Sequence, residues 1–230
     1  MKKAVIFDLD GTLSDSIASI KYCADRALAH FGYGPFPESD YQYFAGDGVV
    51  NLMKRALTAA GDSELIHLEE ALALYKEYFA VDCMYEVKPY PEIPELLEEL
   101  KKQGLKTAVL SNKPHVQTID VIETLFGKES FDIIYGQREG VPIKPDPAGV
   151  FEILREMGMT SEELLYLGDT ATDMNTGKSA GAFTVGALWG FRDRKELEES
   201  HADAIIAHPL ELLDYIDKSE SARRNDYAGF

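Results

Sequence analysis

Basic side chains are scarce in this 230-residue chain: 23 Lys and Arg stand against 40 Asp and Glu, a net charge of −17. So acidic a surface repels a polyanion, which excludes nucleic acid as an expected partner. Cysteine is almost absent. Cys23 and Cys83 lie far apart and in no CxxC or Cys/His cluster, so neither a zinc site nor a disulfide framework is expected, and both read as reduced, buried thiols. Long apolar runs are missing too. The first, Ala4 to Phe7, is ended by Asp8, short of the roughly 7 to 15 residues of a signal-peptide core and of the roughly 18 of a membrane span. No membrane partner is expected, and a cytoplasmic location is. There is no internal repeat and no low-complexity tract.

What the chain does contain is 45% hydrophobic residues, ordinary for a globular protein, arranged in two alternating periods. Short runs rich in β-branched residues predict strands at Lys3 to Phe7, Leu105 to Leu110, Phe131 to Tyr135, Leu164 to Leu167 and Phe183 to Val185. Amphipathic helices are expected between most of them: one from Pro91 to Gly104 with Leu96, Leu97 and Leu100 on a face, one holding Val116, Ile119 and Ile122, one holding Val150, Phe151 and Leu154. Such alternation predicts an α/β fold, a Rossmann-like parallel sheet with helices on both faces and a ligand site outside the carboxyl ends of the strands.

The stretch from Asp15 to Met84 breaks the rhythm, with helical periodicity throughout: Ile17, Ile20, Ala24, Ala27, Leu28 and Phe31 form one stripe, Leu65, Leu68, Leu72, Tyr75 and Phe79 another. A helical insert directly after the first strand would sit over the carboxyl edge of the sheet, where a lid belongs. The expected division is therefore a core of 1–14 and 85–218, a helical cap of 15–84, and a polar C-terminal tail of 219–230.

The polar groups converge on that same edge. The first strand ends Asp8-Leu9-Asp10-Gly11-Thr12, the second in Ser111-Asn112-Lys113, the fourth in Gly168-Asp169-Thr170, and Lys144 precedes Pro145 in the loop leaving the third. Asp8, Asp10 and Asp169 together make a hard oxygen site suited to Mg²⁺. A lysine, a hydroxyl and a glycine turn beside them would hold a phosphoryl group, whose transfer relies on positioning and on stabilising negative charge spread over three oxygens.

In order, Asp8-x-Asp10-Gly11-Thr12, Ser111, Lys144 and Gly168-Asp169-x3-Asp173 resemble the four motifs of the haloacid dehalogenase superfamily in its phosphatase branch, and the helical insert resembles that superfamily's α-helical cap. The resemblance implies that Asp8 attacks phosphorus and forms an aspartyl-phosphate. It implies that the Asp8 and Asp169 side chains with the Asp10 carbonyl hold Mg²⁺, and that Asp10 serves as acid and then base. Thr12, Ser111, Asn112 and Lys144 would bind the phosphoryl group, with Asp173 ordering the metal site or Lys144. Superfamily dehalogenases lack the second acid and the metal, so Asp10 argues for phosphate chemistry; related phosphomutases often carry another residue where Thr12 stands.

Phe44-Ala45-Gly46-Asp47-Gly48 and Leu188-Trp189-Gly190-Phe191-Arg192 are similar to segments of phosphoglycolate phosphatases and near relatives. The implied substrate is a small phosphorylated metabolite, with 2-phosphoglycolate leading and pyrophosphatase or phosphomutase activity as alternatives. Specificity is expected from the cap, through Gly46, Asp47 and Gly48, and a second anionic group would meet Lys54, Arg55, Arg138 or Arg192. For Ser111 the bland alternative is a helix N-cap; His115 reads as structural. A signalling phosphoacceptor or a non-catalytic binding module keeps little support, and a monomer is expected.

Overall fold

The computed structural model describes residues 1–216, so the expected tail and the last two residues of the expected core lie outside the described residues. The first strand, β1 (Ala4–Phe7), has every residue buried. A continuous Ala-Val-Ile-Phe run suits a strand covered on both faces: Val5 and Phe7 enter one apolar layer, Ala4 and Ile6 the opposite one.

Past the Asp8 to Leu13 turn, β2 (Ser14–Asp15) leads into four helices, α1 (Ile17–Ala29), α2 (Glu38–Phe44), α3 (Gly48–Ala59) and α4 (Leu68–Asp82). The chain returns through β3 (Lys88–Pro89), antiparallel to β2, so exit from and re-entry to the core share one short ribbon. The four helices have their own apolar centre, in which Leu28, Tyr41, Met53 and Tyr75 are among the largest side chains, and Phe191, distant in sequence, completes it.

The remainder alternates: α5 (Ile93–Lys102), β4 (Lys106–Pro114), α6 (His115–Phe126), β5 (Ile133–Gln137), α7 (Ala148–Met157), β6 (Leu164–Gly168), α8 (Ala171–Ser179), β7 (Phe183–Ala187), α9 (Arg194–Glu199) and β8 (Ala204–Ile206). The six long-range strands form one parallel sheet in the order β5-β4-β1-β6-β7-β8. The expected α/β architecture is thus present, with one strand more than the periodicity predicted: β8 is three residues at the sheet edge, too short to show alternation. Two helical faces also differ from expectation. Val116 and Phe151 are exposed, and α6 and α7 turn Val121 with Ile122, and Val150 with Ile153, toward the sheet. No helix among the described residues is long and apolar enough to cross a membrane.

Strand order puts the site where it is. From β1 the chain builds outward through β4 to β5, then crosses back to β6 on the other side of β1, so connections diverge around the carboxyl end of β1 and leave a crevice there. A second device shapes the crevice wall. β4 pairs with β5 in register through Leu110 and Tyr135, then resumes at Pro114 and Gln137, so four steps on one strand oppose two on the other. The excess bulges out Ser111, Asn112 and Lys113.

The bulge depends on Gly136. A Cβ there would lie 2.7 Å from the Lys113 carbonyl oxygen and 2.6 Å from His115 Cα, main-chain atoms that cannot step aside cheaply. Gly136→Ala is expected to lower stability by about 1–3 kcal/mol, read as a fall in the urea midpoint at unchanged m-value; a midpoint equal to wild type would mean that the bulge is not held by this contact.

Candidate active site

At the carboxyl edge four charged side chains are packed almost without solvent. The Lys144 ammonium stands 2.8 Å from Asp8 Oδ1 and 2.7 Å from Asp173 Oδ1; all three residues are buried. Asp173 is held in turn by Thr170, whose main-chain N–H (3.1 Å) and hydroxyl (2.7 Å) both donate to Oδ2, an arrangement that also caps α8. Asp169 accepts from the Thr12 hydroxyl at Oδ1 (3.0 Å) and from the Phe191 N–H at Oδ2 (2.7 Å). Gly11 makes room for it: its φ is +88°, and a Cβ would fall 2.3 Å from Asp169 Oδ2, so both the turn and the contact require glycine.

Above this layer lies a second pair. Asp10 Oδ1 accepts from the Ser16 hydroxyl (2.6 Å) and from the Lys113 ammonium (2.8 Å). Asp8, Asp10, Ser111, Asn112 and Lys113 line one side of a cavity of about 50 Å³; Ile20, Leu52, Tyr75 and Phe79 of the helical segment line the other, with Gly46 and Gly48 at its rim. The loop carrying those glycines is tied down by the core. Asn112 Nδ2 donates to the Gly46 carbonyl (3.2 Å), Arg192 to the carbonyls of Gln42 and Ala45, and the Thr172 hydroxyl to the Asp47 carboxylate, which also takes Arg55. Those two donors outweigh the effect of burial and hold Asp47 below the usual carboxylate range.

The electrostatics of the inner layer are out of balance. Asp8, Asp169 and Asp173 each offer an oxygen within 4.8 Å of the others, a distance at which two full charges repel by about 3.5 kcal/mol at an effective dielectric of about 20. Burial, then Asp173 and Asp169, hold the Asp8 carboxyl well above its usual range against the pull of Lys144. Burial and Asp173 push Asp169 up to about 7. Burial opposes the Lys144 ammonium, but Asp173 and Asp8 outweigh it and keep it firmly charged. Three carboxylates against one ammonium leave a deficit of positive charge in a dry, all-oxygen pocket, and Asp8 Oδ2 accepts no hydrogen bond among the described residues. That donor set fits a hard divalent cation.

Of the residues singled out from sequence, Asp8, Asp10, Ser111, Asn112, Lys144, Asp169 and Asp173 meet in or directly beneath the cavity. Ser111 belongs to β4 and caps no helix. Thr12 is a correction: expected among the phosphate ligands, it is fully buried and spends its hydroxyl on Asp169. The cationic candidates are corrected as well. Arg55 is bound to the Tyr43 and Phe44 carbonyls and to Asp47, Arg192 to main-chain carbonyls and Glu196, Arg138 to Glu152, and Lys54 is exposed; none lines the cavity. Asp47 likewise faces Arg55 and Thr172 rather than the cavity. His115 accepts from the Gly136 N–H at Nδ1 (3.2 Å), a structural role. Sequence reasoning set Lys113 at the carboxyl edge beside Ser111 and Asn112 but gave it no role, and it passed over Ser16; these two are the partners of Asp10.

A family profile described as haloacid dehalogenase-like hydrolase matches residues 5–187. The chain is 32% identical over 215 residues to a phosphoglycolate phosphatase of Aquifex aeolicus, covering 94% of this chain and 97% of that one. A Lactobacillus delbrueckii subsp. bulgaricus crystal structure that carries the provisional name phosphoglycolate phosphatase superposes with a TM-score of 0.88 at 30% identity, covering 94% of this chain and 99% of that one. A haloacid dehalogenase-like family hydrolase of Streptococcus pneumoniae gives 0.83 at 26% identity over 93% and 98%.

A carboxyl whose pKa in the fold lies above its ordinary 3.8, as for Asp169 at about 7, favours the metal-free fold at low pH and loses that contribution as pH climbs through about 7. A divalent cation replaces those protons. The rise in Tm on adding Mg²⁺ to chelator-treated protein is therefore expected to be larger at about pH 8 than at about pH 5.5, and to shrink in Asp169→Asn. Equal rises at both pH values would contradict the assignment of these carboxylates to a cation.

Proposed function

The chain belongs to the haloacid dehalogenase-like hydrolase family, and from that premise we propose that it is a Mg²⁺-dependent phosphatase of a small phosphomonoester, with 2-phosphoglycolate as substrate. One observation carries the reading: two carboxylates, Asp8 and Asp10, face the same small cavity, each paired to a buried lysine of its own, Lys144 for the first and Lys113 for the second. A nucleophile and a separate proton carrier are what ester hydrolysis through a covalent intermediate needs. The names of the relatives at 30 to 32% identity support phosphoglycolate as the ester.

In the proposed reaction an Asp8 oxygen attacks phosphorus in line, the bond from phosphorus to the ester oxygen breaks, and Asp10 delivers a proton to the departing alkoxide. Asp10 then takes a proton from water as that water attacks the aspartyl-phosphate, which releases inorganic phosphate and restores Asp8. Lys144, at 2.8 Å from Asp8 Oδ1, orients the carboxylate and offsets charge on the transferring group; Ser111 and the main chain at Asn112 receive the phosphoryl oxygens. Asp8, Asp169 and the Asp10 carbonyl would hold Mg²⁺, which when bound neutralises phosphoryl oxygens and buried carboxylates alike. Asp173 keeps Lys144 in place.

Residues 15–84 act as a cap on a core of 1–14 and 85–218, an assignment supported by the separate apolar centre of the four helices and by the β2-β3 ribbon at both crossings. With the loop from Gln42 to Asp47 bound to the core, the cap excludes water from the cavity. A protein that covers its own site needs no second copy, so we propose a monomer, and two free buried thiols suit a cytoplasmic setting.

Phosphate release with Mg²⁺ is expected to favour 2-phosphoglycolate over pyrophosphate, phosphosugars and nucleoside monophosphates by roughly 10²-fold in kcat/KM, about 2.7 kcal/mol. Asp8→Asn is expected to lower kcat by at least about 10³-fold, since an amide forms no phospho-enzyme. A flat substrate profile would remove phosphoglycolate from the proposal, full turnover by the variant would remove the mechanism, and isomerised phosphosugar without free phosphate would identify a mutase.

A further inference from the structure

The transferring phosphoryl group is common to every substrate, so selectivity belongs to whatever meets the leaving group. Four cations that the sequence offered for a second anion, Lys54, Arg55, Arg138 and Arg192, are exposed or bound elsewhere, as described above, and Lys144 is committed to Asp8 and Asp173. Among the described residues one cation remains at the cavity. The Lys113 side chain is 2% exposed, its ammonium lies 4.7 Å above the centre of the Phe79 ring, and it lines the cavity beside Asp10.

Two facts make this lysine more than a partner of Asp10. Among the described residues its ammonium donates only to Asp10 Oδ1, leaving two of its three N–H groups without a protein acceptor. The surface across from it is largely apolar, formed by Ile20, Leu52, Phe79 and the ring of Tyr75, and the Tyr75 hydroxyl, its one polar group, makes no hydrogen bond to the Lys113 ammonium among the described residues. Behind a closed cap, a neutral leaving group would leave those N–H groups unsatisfied at a desolvation cost, whereas a carboxylate would satisfy them with charge-assisted hydrogen bonds. A site built in this way rejects the analogue that lacks the group it pairs with.

We propose that Lys113 is the specificity-determining residue of this site, binding a carboxylate carried on the short leaving group, so that the substrate class is the phosphate monoesters of small hydroxy acids. The proposal rests on the phosphatase reading above and adds to it the residue that recognises the acid. The cap side chains Ile20, Leu52 and Phe79 facing Lys113 across the cavity limit the length of the hydroxy acid, and the aromatic face of Phe79 holds the ammonium in place without competing as a conventional hydrogen-bond acceptor.

The test compares 2-phosphoglycolate with 2-hydroxyethyl phosphate, in which a neutral CH₂OH replaces the carboxylate. Wild-type protein with Mg²⁺ is expected to prefer the acid by about 30-fold or more in kcat/KM, and Lys113→Met to bring that ratio to within about 3-fold of unity, whatever loss is common to both esters. Lys113→Arg is expected to keep most of the preference. A wild-type ratio near unity, a measurement that depends on no variant folding, would overturn the proposal, and so would a loss in Lys113→Met that is equal for both esters, the result expected if the lysine serves only Asp10. Calorimetric titration of Asp8→Asn with the two esters separates the levels of failure. Binding of both with equal affinity sinks the Lys113 assignment alone, while no binding of either by the variant together with no hydrolysis of either by the wild-type protein sinks the phosphatase reading and the assignment with it.

Discussion

The ammonium of Lys144 is the contact on which the rest of the site is built. Without it Asp8, Asp169 and Asp173 would be three buried carboxylates within 4.8 Å of one another, and breaking a buried charge pair by removing one partner typically costs about 3–5 kcal/mol. The lysine reaches that position because it is pinned at both ends. Its main-chain N–H donates to Asn112 Oδ1 at 2.9 Å and its carbonyl accepts from Asn112 Nδ2 at 3.1 Å, while its tip sits between two carboxylates. Asp173 in turn is locked by the cap of α8. A helix start, a loop and a strand end thus converge on one charge, which makes the placement of Asp8 a property of the whole sheet edge.

Asn112 carries that order outward. The same amide that fixes Lys144 also donates to the carbonyl of Gly46, so the glycine loop of the cap is positioned by the residue that positions the lysine. The remaining ties of that loop, from Arg192 to two carbonyls and from Thr172 to Asp47, are buried or partly buried hydrogen bonds, each with a net worth of only about 0.5–1.5 kcal/mol, or about 1.5–3 where a charged group takes part. The apolar centre of the four helices is closed by Phe191 of the core. On the proposed reading of these helices as a cap, attachment through a few such contacts and one aromatic side chain lets them part from the core at a cost far below that of unfolding, which suits the entry and exit of substrate.

How much of this could be read from the sequence depended on the range of the rule involved. Asp8, Asp10, Ser111, Lys144 and Asp169 were legible because parallel α/β topology sends every strand's carboxyl end to one edge, so position relative to a strand is enough. Lys113 was not. Its aim is set by a bulge, and the two extra residues of β4 show only in the pairing with β5, a long-range property with no local pattern. The arginines misled for the opposite reason: Arg55 and Arg192 look free in sequence, and only the fold shows their guanidinium groups filled by main-chain carbonyls. Val116 and Phe151 show the same limit on a smaller scale, since helical periodicity offers more than one apolar face and tertiary packing chooses between them. Thr12 was placed at the right turn and given the wrong partner, because the turn folds its hydroxyl inward to Asp169.

The site divides its charge into two layers, and the division separates its tasks. The inner layer, Asp8, Asp169 and Asp173 around Lys144, is negative in sum and nearly dry; its electrostatics call for a cation and, in the proposed reaction, handle the phosphoryl group. The outer layer, Asp10 with Lys113, is close to neutral as a pair and faces an apolar wall, so its interactions depend on what the leaving group brings. The turn after β1 supplies one carboxylate to each layer, Asp8 to the inner and Asp10 to the outer, and the remaining groups hang from different elements: β6, α8 and the Lys144 loop for the inner layer, the β4 bulge for the outer. On the proposed reading, substitutions at Lys113 or on the facing wall of Ile20, Leu52 and Phe79 can therefore change which ester is accepted while leaving the cation-binding carboxylates untouched. One scaffold can in this way keep a fixed reaction and vary its substrate.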